Sequence, residues 1–337
     1  MIVGMTYDLK AGYVRVSGDP EDASAEFDSV STVQVISDAL VASGCETVPI
    51  GGVQELLQVI DKLSVDIVFN IAEGRAGRNR EAQVPMLLEM KGIPYVGSDA
   101  LTQCLTLDKM MTKKVLLAEG IPTPRFFQIT DPAESLPPDL SFPLIVKPRY
   151  EGSSKGMSEK SVVHSADELR RQAASIIEAY RQPALVEEFI QGTEFTVAVV
   201  GNRPAEALPV VQILIDGKSD LGDLFYTFSL IAAGADYLCP AKIGSALESR
   251  LKELALRTYR AVDCVDFGRV DFRVDKSGIP YVLEINPLPS LSTEDVFKVV
   301  ADRIGIGYPA LIGRIAEAAA ERCGLPMGGR VASGARR

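Results

Sequence analysis

The sequence predicts a protein of mixed α/β and α+β class, with an N-terminal lobe on a mainly parallel sheet and later lobes rich in antiparallel strands. Three observations carry that expectation. The first hundred residues alternate helical and strand patterns, as chains that wind a parallel sheet do. Farther on, Leu144-Ile145-Val146-Lys147-Pro148 reads as a buried strand that runs into a loop of small residues, Tyr150 to Met157. Towards the C-terminus, Gly268-Arg269-Val270-Asp271-Phe272-Arg273 and Val282-Leu283-Glu284-Ile285-Asn286-Pro287 read as two short strands joined by a turn at Lys276-Ser277-Gly278. At 337 residues the chain can hold two or three lobes with their own cores.

Taken in order, Val33, Ile36, Leu40 and Val41 recur at helical spacing after Ser31, and Gly44 is placed to end that helix. A strand Thr47–Ile50, a helix around Val53–Leu63 and a strand Val65–Asn70 follow. A helix around Val84–Met90 stops at Gly92 and Pro94, and Tyr95–Gly97 makes the next strand. The helix expected over Leu107–Ala118 takes Thr106 as its cap and carries Lys109 in its first turn, where a bound phosphate would offset the unfavourable helix dipole. Strands are expected at Phe126–Ile129, Leu144–Lys147 and Val162–Val163. Ser165-Ala166-Asp167-Glu168 is a capping box for a helix reaching Tyr180. Beyond Leu185 come alternating strands, a helix Ala246–Val262, and helices around Asp295–Ile304 and Pro309–Cys323. Lobes are therefore expected at 1–100, 101–184 and 185–323, with a disordered tail over 324–337.

The hairpin near the C-terminus holds chemistry-bearing residues in a strand pattern. Glu284 and Asn286 are two apart and face one side; Arg269 shares a face with Asp271 in the same way. Two carboxylates and an amide are a small ligand set, and magnesium takes few protein carboxylates when phosphate oxygens supply the rest. Taken alone, the hairpin would more readily be read as an ordinary antiparallel one with solvated acids on one face. The loop Tyr150–Met157 is an independent signal: its glycines and serines let backbone N–H groups approach phosphate, and Lys147 sets a positive charge at the end of the preceding strand. It has neither Walker A nor dinucleotide-binding spacing. Alone it could be a mobile turn, but with the hairpin it favours a nucleotide.

The ordered set Lys109, Lys147, Glu151-Gly152-Ser153-Ser154, Glu187-Glu188-Phe189-Ile190, Glu194-Phe195-Thr196, Gly268-Arg269-Val270-Asp271 and Glu284-Ile285-Asn286 resembles the ATP-grasp superfamily. Gly92-Ile93-Pro94-Tyr95-Val96-Gly97-Ser98 and Asp108-Lys109 make the chain similar, within it, to D-alanine-D-alanine ligases and their homologues. The resemblance covers residues 65–300 well and the first sixty more loosely. It implies a three-lobed fold in which ATP lies between two antiparallel sheets. It further implies that the backbone around Glu187, Glu188 and Ile190 reads the adenine edge, that Glu194 takes the ribose hydroxyls, and that Lys109, Lys147 and Ser154 hold phosphates. Asp271, Glu284 and Asn286 would coordinate Mg2+ or Mn2+. The implied reaction is ATP-dependent ligation of a carboxylate to an amine through an acyl phosphate, with ADP and phosphate released. Arg269 would stabilise the tetrahedral oxyanion, Ser153 would close over the phosphates, the Ser290 backbone would stand where the family has glycine, and Glu26 would hold the amino group of the first substrate. A surface acid ahead of a helix is the alternative account of Glu26.

Three departures from the family pattern bear on the substrate. The loop that carries a Lys-Tyr pair in D-alanine-D-alanine ligases reads Thr227-Phe228-Ser229-Leu230-Ile231-Ala232-Ala233-Gly234 here. Ser290 replaces a glycine. The serine that receives the second D-alanine's carboxylate aligns near Asp295, which would repel it. Arg75, Arg78 and Arg80 crowd the loop after Asn70, either to bind an acidic substrate or as a solvated basic loop. The expected function is a ligase that forms an amide or dipeptide from something other than two D-alanines. A D-alanine-D-alanine ligase with an unusual lid, or a nucleotide-binding module without turnover, are the alternatives.

Composition excludes other classes. Apolar residues make up 47% of the chain, and no stretch is long and apolar enough to span a bilayer. Met1-Ile2-Val3-Gly4-Met5 lacks the basic start of a signal peptide, so a cytoplasmic enzyme is expected, without membrane partners. Five cysteines, odd in number and without Cys-x-x-Cys spacing, are expected to be free thiols. A net charge of -10 argues against nucleic acid. The expected partners are small carboxylate and amine substrates, amino acids or their derivatives, and a homodimer is left open as the assembly. His164, the single histidine, stands just before a helix cap and is expected to do no acid-base work.

Overall fold

A computed structural model describes residues 1–219, 221–222, 225 and 236–326. The N-terminal parallel sheet has the order β2-β1-β3-β4, from β1 (Ile2–Tyr7), β2 (Glu46–Gly51), β3 (Ile67–Ile71) and β4 (Tyr95–Val96). Its connections are α1 (Val30–Ala42), α2 (Val53–Val59, continued by a 3-10 turn Ile60–Lys62) and α3 (Gln83–Lys91). Ser29 caps α1 by accepting from Thr32 N–H, and Ile36, Ala39 and Leu40 form its buried face. Val41, expected on that face, is exposed.

The helix expected over Leu107–Ala118 is two helices. In α4 (Ala100–Leu107) Asp99 is the cap, and Thr106 lies inside it, donating back to the Thr102 carbonyl. Asp108 breaks the helix and caps α5 (Lys109–Ala118) by accepting from Met111 N–H. Aspartate competes well for this position because its carboxylate satisfies an otherwise orphaned amide.

The second sheet, antiparallel, has the order β5-β8-β6-β7, from β5 (Phe126–Ile129), β6 (Leu144–Pro148), β7 (Val162–Val163) and β8 (Ala184–Glu188), and α6 (Ala166–Tyr180) covers it. Ser165 caps α6 by accepting from Glu168 N–H, while the Glu168 carboxylate reaches back to His164 N–H. The third sheet runs β12-β11-β9-β13-β14, with β10 on β9, from β9 (Gly192–Val200), β10 (Glu206–Ala207), β11 (Val211–Leu214), β12 (Asp236–Leu238), β13 (Phe267–Asp275) and β14 (Pro280–Asn286). Helices α7 (Ser245–Ala261), α8 (Val296–Ile304) and α9 (Tyr308–Arg322) complete the described chain.

Two crossings cut the lobe boundaries expected from sequence. The boundary at 185 falls inside β8, a strand of the second sheet. Leu116 of α5 and Ile121 pack into the core beneath the third sheet, while Leu311 and Ile315 of α9 share a core with Val3, Ile36, Leu40 and Phe69 of the N-terminal lobe. The expected tail falls largely on 327–337, outside the described residues, as does the Thr227–Gly234 loop. All five cysteines are free, and among the described residues no helix is long and apolar enough to cross a membrane.

Candidate active site

The cleft between the two antiparallel sheets is lined by Glu26, Lys109, Lys147, Ser153, Ser154, Glu187, Glu188, Ile190, Glu194, Arg269, Asp271, Glu284, Asn286 and Ser290, all named from the sequence. On its C-terminal wall Asp271 and Glu284 are direct cross-strand partners, as are Arg269 and Asn286, so these side chains stand together. The Asp271 carboxylate accepts from Arg269 Nε and Nη2 at 3.0 Å each, from Asn286 Nδ2 at 3.1 Å and from Thr196 Oγ1 at 2.6 Å. Arg269 Nη1 also lies 3.7 Å from Asp295 Oδ1, whose carboxylate caps α8. Burial alone would lower the Arg269 pKa, but Asp271 and Asp295 hold it well above its usual value. A bulge between Asp271 and Phe272 leaves Leu283 as the extra residue of β14, and its carbonyl accepts from Lys113 Nζ at 3.1 Å.

Lys109 Nζ donates to the Glu151 carbonyl at 2.6 Å and pairs with Glu284 Oε2 at 3.2 Å. Burial would raise the Glu284 carboxyl, but Lys109, Lys147 and Arg269 outweigh it and hold it at about 2. Glu284 is therefore a ready anionic ligand. Two ionisable oxygen donors and an amide on one wall, with lysines beside them, suit a hard cation shared with phosphate oxygens. No cluster of three or more His, Cys, Asp or Glu side chains that could hold a metal occurs among the described residues.

Sequence reading missed Lys113. It lies one helical turn from Lys109 on α5, so the i, i+4 spacing was a usable signal. Fully buried, it bonds Thr123 Oγ1 at 2.9 Å and pairs with Glu187 Oε1 at 3.2 Å; Lys147 Nζ pairs with the same oxygen at 2.9 Å. Burial pushes the Lys113 ammonium down to about 8 against the pull of Glu187. The Glu187 side chain thus holds two lysines, a role the family pattern did not suggest.

The glycine-serine loop is tied to the N-terminal lobe. Ser153 and Ser154 have φ of 46° and 54°, consecutive left-handed residues that are uncommon without glycine and mark a functional turn. Gly152 N–H donates to Glu26 Oε1 at 2.6 Å, and a Cβ at Gly152 would lie 2.8 Å from that oxygen. Glu26 Oε1 also accepts from Arg80 Nη2 at 2.7 Å, and Glu26 Oε2 from Lys155 Nζ at 3.1 Å. Burial would raise the Glu26 carboxyl, yet Arg80 and Lys155 hold it at about 2. Both Glu26 oxygens thus take part in anchoring the loop, Oε1 with two donors and Oε2 with one.

The arginines after Asn70 do not line the cleft; Arg75 and Arg78 are exposed and Arg80 is buried. Arg80 is buried between Glu26 and the Tyr150 carbonyl, Arg78 donates to Asp108 at 2.9 Å, and Arg75 stacks on Tyr13 with its guanidinium 4.7 Å from the ring centre. At the opposite end of the cleft, Glu188 N–H donates to the Arg125 carbonyl and Phe189 N–H to the Pro143 carbonyl. Phe189 packs edge-on against Phe225, with Arg273 over its ring at 4.7 Å. Burial pushes Glu194 up to about 7, although Arg273 lies 3.9 Å away.

The family model D-ala D-ala ligase C-terminus matches residues 115–317. The chain is 33% identical over 307 residues to a D-alanine--D-alanine ligase of Pelotomaculum thermopropionicum, spanning 88% of this chain and 93% of that one. It is 39% identical over 300 residues to the uncharacterized protein y4sG of Sinorhizobium fredii, spanning 85% and 88%. In three dimensions it matches the D-alanine--D-alanine ligase of Bacillus anthracis complexed with ATP at a TM-score of 0.74 and 26% identity, covering 96% and 98% of the two chains. The cleft between two antiparallel sheets, its lysines and its acidic hairpin thus stand in a chain that belongs to the D-alanine-D-alanine ligase-like family of the ATP-grasp superfamily, ATP-dependent ligases that form C–N bonds.

Proposed function

We propose that this ligase joins an amino-acid carboxylate to an amine that carries no free carboxylate at the seat beside Asp295. The observation that carries this reading is the place of Asp295: it lines the cleft and caps α8 next to Arg269. At about 4 Å and an effective dielectric near 20, an unscreened carboxylate pair costs on the order of 4 kcal/mol, and Arg269, already shared with Asp271, offsets only part of it.

The donor carboxylate oxygen would attack the γ-phosphorus of ATP as the bridging P–O bond to ADP breaks. The amine nitrogen would then attack the acyl carbon, the C–O bond to phosphate would break, and the amine proton would be lost. Lys109 and Lys147 are set to hold phosphate oxygens, the Ser153 and Ser154 amides to close over them, and Arg269 to receive the oxyanion. The backbone around Glu187, Glu188 and Ile190 would read the adenine edge, and Glu194 would take the ribose hydroxyls. Magnesium or manganese on Asp271, Glu284 and Asn286 would neutralise charge developing on the phosphates.

The test is a product assay with ATP and magnesium, comparing D-alanine with amino-acid amides, simple amines and basic amino acids as acceptors. Wild type is expected to prefer the acceptors without a free carboxylate, and Asp295→Ser to gain carboxylate-bearing ones. Efficient D-alanyl-D-alanine synthesis by wild type would overturn the proposal in favour of a second reading, a D-alanine-D-alanine ligase, which the function named for the Pelotomaculum relative supports.

A further inference from the structure

Behind the wall of the cleft, two lysines share one carboxylate oxygen. Glu187 Oε1 of β8 pairs with Lys147 Nζ of β6 at 2.9 Å and with Lys113 Nζ of α5 at 3.2 Å. Lys147 and Glu187 line the cleft, whereas Lys113 is fully buried and outside that lining. An ammonium group has three protons, and those of Lys113 meet three acceptors. These are Glu187 Oε1, the Leu283 carbonyl at 3.1 Å, and Thr123 Oγ1 at 2.9 Å, a hydroxyl whose own proton goes to the Val282 carbonyl. No proton is left for a ligand, so whatever Lys113 does for the reaction passes through Glu187.

We infer that Lys113 is a positioning residue that frees Lys147 for phosphate, by remaining as the counter-ion of Glu187 when Lys147 turns to the nucleotide. The inference rests on the reading of Lys147 as a phosphate ligand and adds the residue that makes it usable. With Lys147 and Glu187 alone, the two charges would cancel. A phosphate could then take Lys147 only by leaving a buried carboxylate without a partner, which is costly. With Lys113 the three side chains carry one net positive charge, and the departure of Lys147 leaves a complete pair of Lys113 and Glu187 behind. The bonds to Leu283 on β14 and to Thr123 ahead of β5 keep Lys113 in place while Lys147 moves.

The electrostatics of the trio agree. Burial would raise the Glu187 carboxyl, but Lys113 first and Lys147 second hold it below its usual value. Burial pulls the Lys113 ammonium down to about 8; Lys147 of β6 adds to the fall, and Glu187 of β8 and Glu284 of β14 oppose it. The trio thus loses its net charge when Lys113 loses its proton.

The test measures, on the full chain, the ratio of the affinities for magnesium-ATP and for adenosine, by calorimetry and ligand-observed NMR. Dividing by adenosine removes any effect on adenine recognition or on the fold at large. Lys113→Gln is expected to lower the ratio about tenfold or more while adenosine affinity stays within about threefold. Adding Glu187→Gln removes the acid that captures Lys147 and should bring the ratio back to within about threefold of wild type. A merely structural role for Lys113 would not be rescued by that second change. Wild type alone supplies a further measurement: between about pH 7 and 9 its ratio should fall severalfold as Lys113 loses its proton, and the Lys113→Gln profile should be flat. A Lys113→Gln ratio equal to that of wild type, equal weakening of ATP and adenosine, a double variant no better than the single one, or a flat wild-type profile would overturn the inference. Lys147→Gln separates it from the reading beneath it. A wild-type ratio in that variant would strike Lys147 as a phosphate ligand and this inference with it. A lowered ratio there beside an unaffected Lys113→Gln would remove only the role of Lys113.

Discussion

The two ends of the cleft solve the same electrostatic problem in opposite ways. At the hairpin end each buried charge already has a counter-ion: Glu284 has Lys109, Asp271 and Asp295 share Arg269, and Glu187 is held by Lys113 and Lys147. At the N-terminal end Glu73 and Glu81 have no such partner among the described residues. Paired charges can be exchanged: a polyphosphate with its cation replaces one set of ion pairs by another, at little change in net charge. Unpaired carboxylates are instead driven towards their neutral form by burial. The hairpin end thus holds charges that balance one another, and the other holds carboxylates that do not.

The largest expected effect lies in the paired end's interior. Glu187→Ala strands Lys113 and Lys147 without their shared counter-ion and should cost on the order of 3 to 5 kcal/mol, as the removal of one partner of a buried pair does. Urea unfolding reads this directly, and a variant as stable as wild type would show that the lysines do not need Glu187.

Next comes Glu284→Ala, which takes away one of the two carboxylates proposed as metal ligands and should reduce turnover roughly a hundredfold or more. A magnesium titration of phosphate release checks it; near-normal turnover at ordinary magnesium would remove Glu284 from the metal site. Arg269→Ala should depress amide formation roughly a hundredfold while leaving ATP affinity within about tenfold, since an oxyanion donor acts mainly in the transition state. Calorimetry beside a product assay separates the two, and equal losses would assign Arg269 to binding.

The smallest effect sharpens the contrast by pH. Glu81 is raised to about 7 and Glu73 is raised as well, so each is more easily protonated in the folded chain than in the unfolded one. Their contribution to stability is present below the unfolded carboxyl pKa, about 4.5, and is lost as pH rises through the folded value. Glu26 and Glu284, held at about 2, contribute stability that is constant above the unfolded value and lost only as pH falls towards 2. Between pH 5 and 8 the melting temperature of the ligand-free protein should therefore fall by several degrees, and Glu81→Gln should flatten the slope. An unchanged slope in the variant would show that other groups set it.

How much was legible beforehand depends on range. The hairpin, its register of Asp271 and Glu284 on one face, the Lys147 strand end and the loop at Ser153 were readable because a strand's two-residue period and a turn's glycines are local properties. Asp108 as a cap was missed because Asp108 and Thr106 are both plausible caps and the choice depends on where α4 already ends. Lys113 was overlooked because a buried lysine looks like a surface one until its partners are known.

By itself the sequence determined the class, most of the element order and part of the set of residues that line the cleft, since these follow from periodicity, turn chemistry and a motif order spread along one chain. The tertiary structure decided which charges meet. Glu26 meets Gly152 across 126 positions, Lys113 meets Leu283 across 170, and α9 returns to the N-terminal core. An ion pair stabilises or frustrates according to burial and distance, and neither is a property of a residue's neighbours in sequence. For that reason the tie between Glu26 and the glycine-serine loop, and the unpaired state of Glu73 and Glu81 among the described residues, were not legible in the sequence.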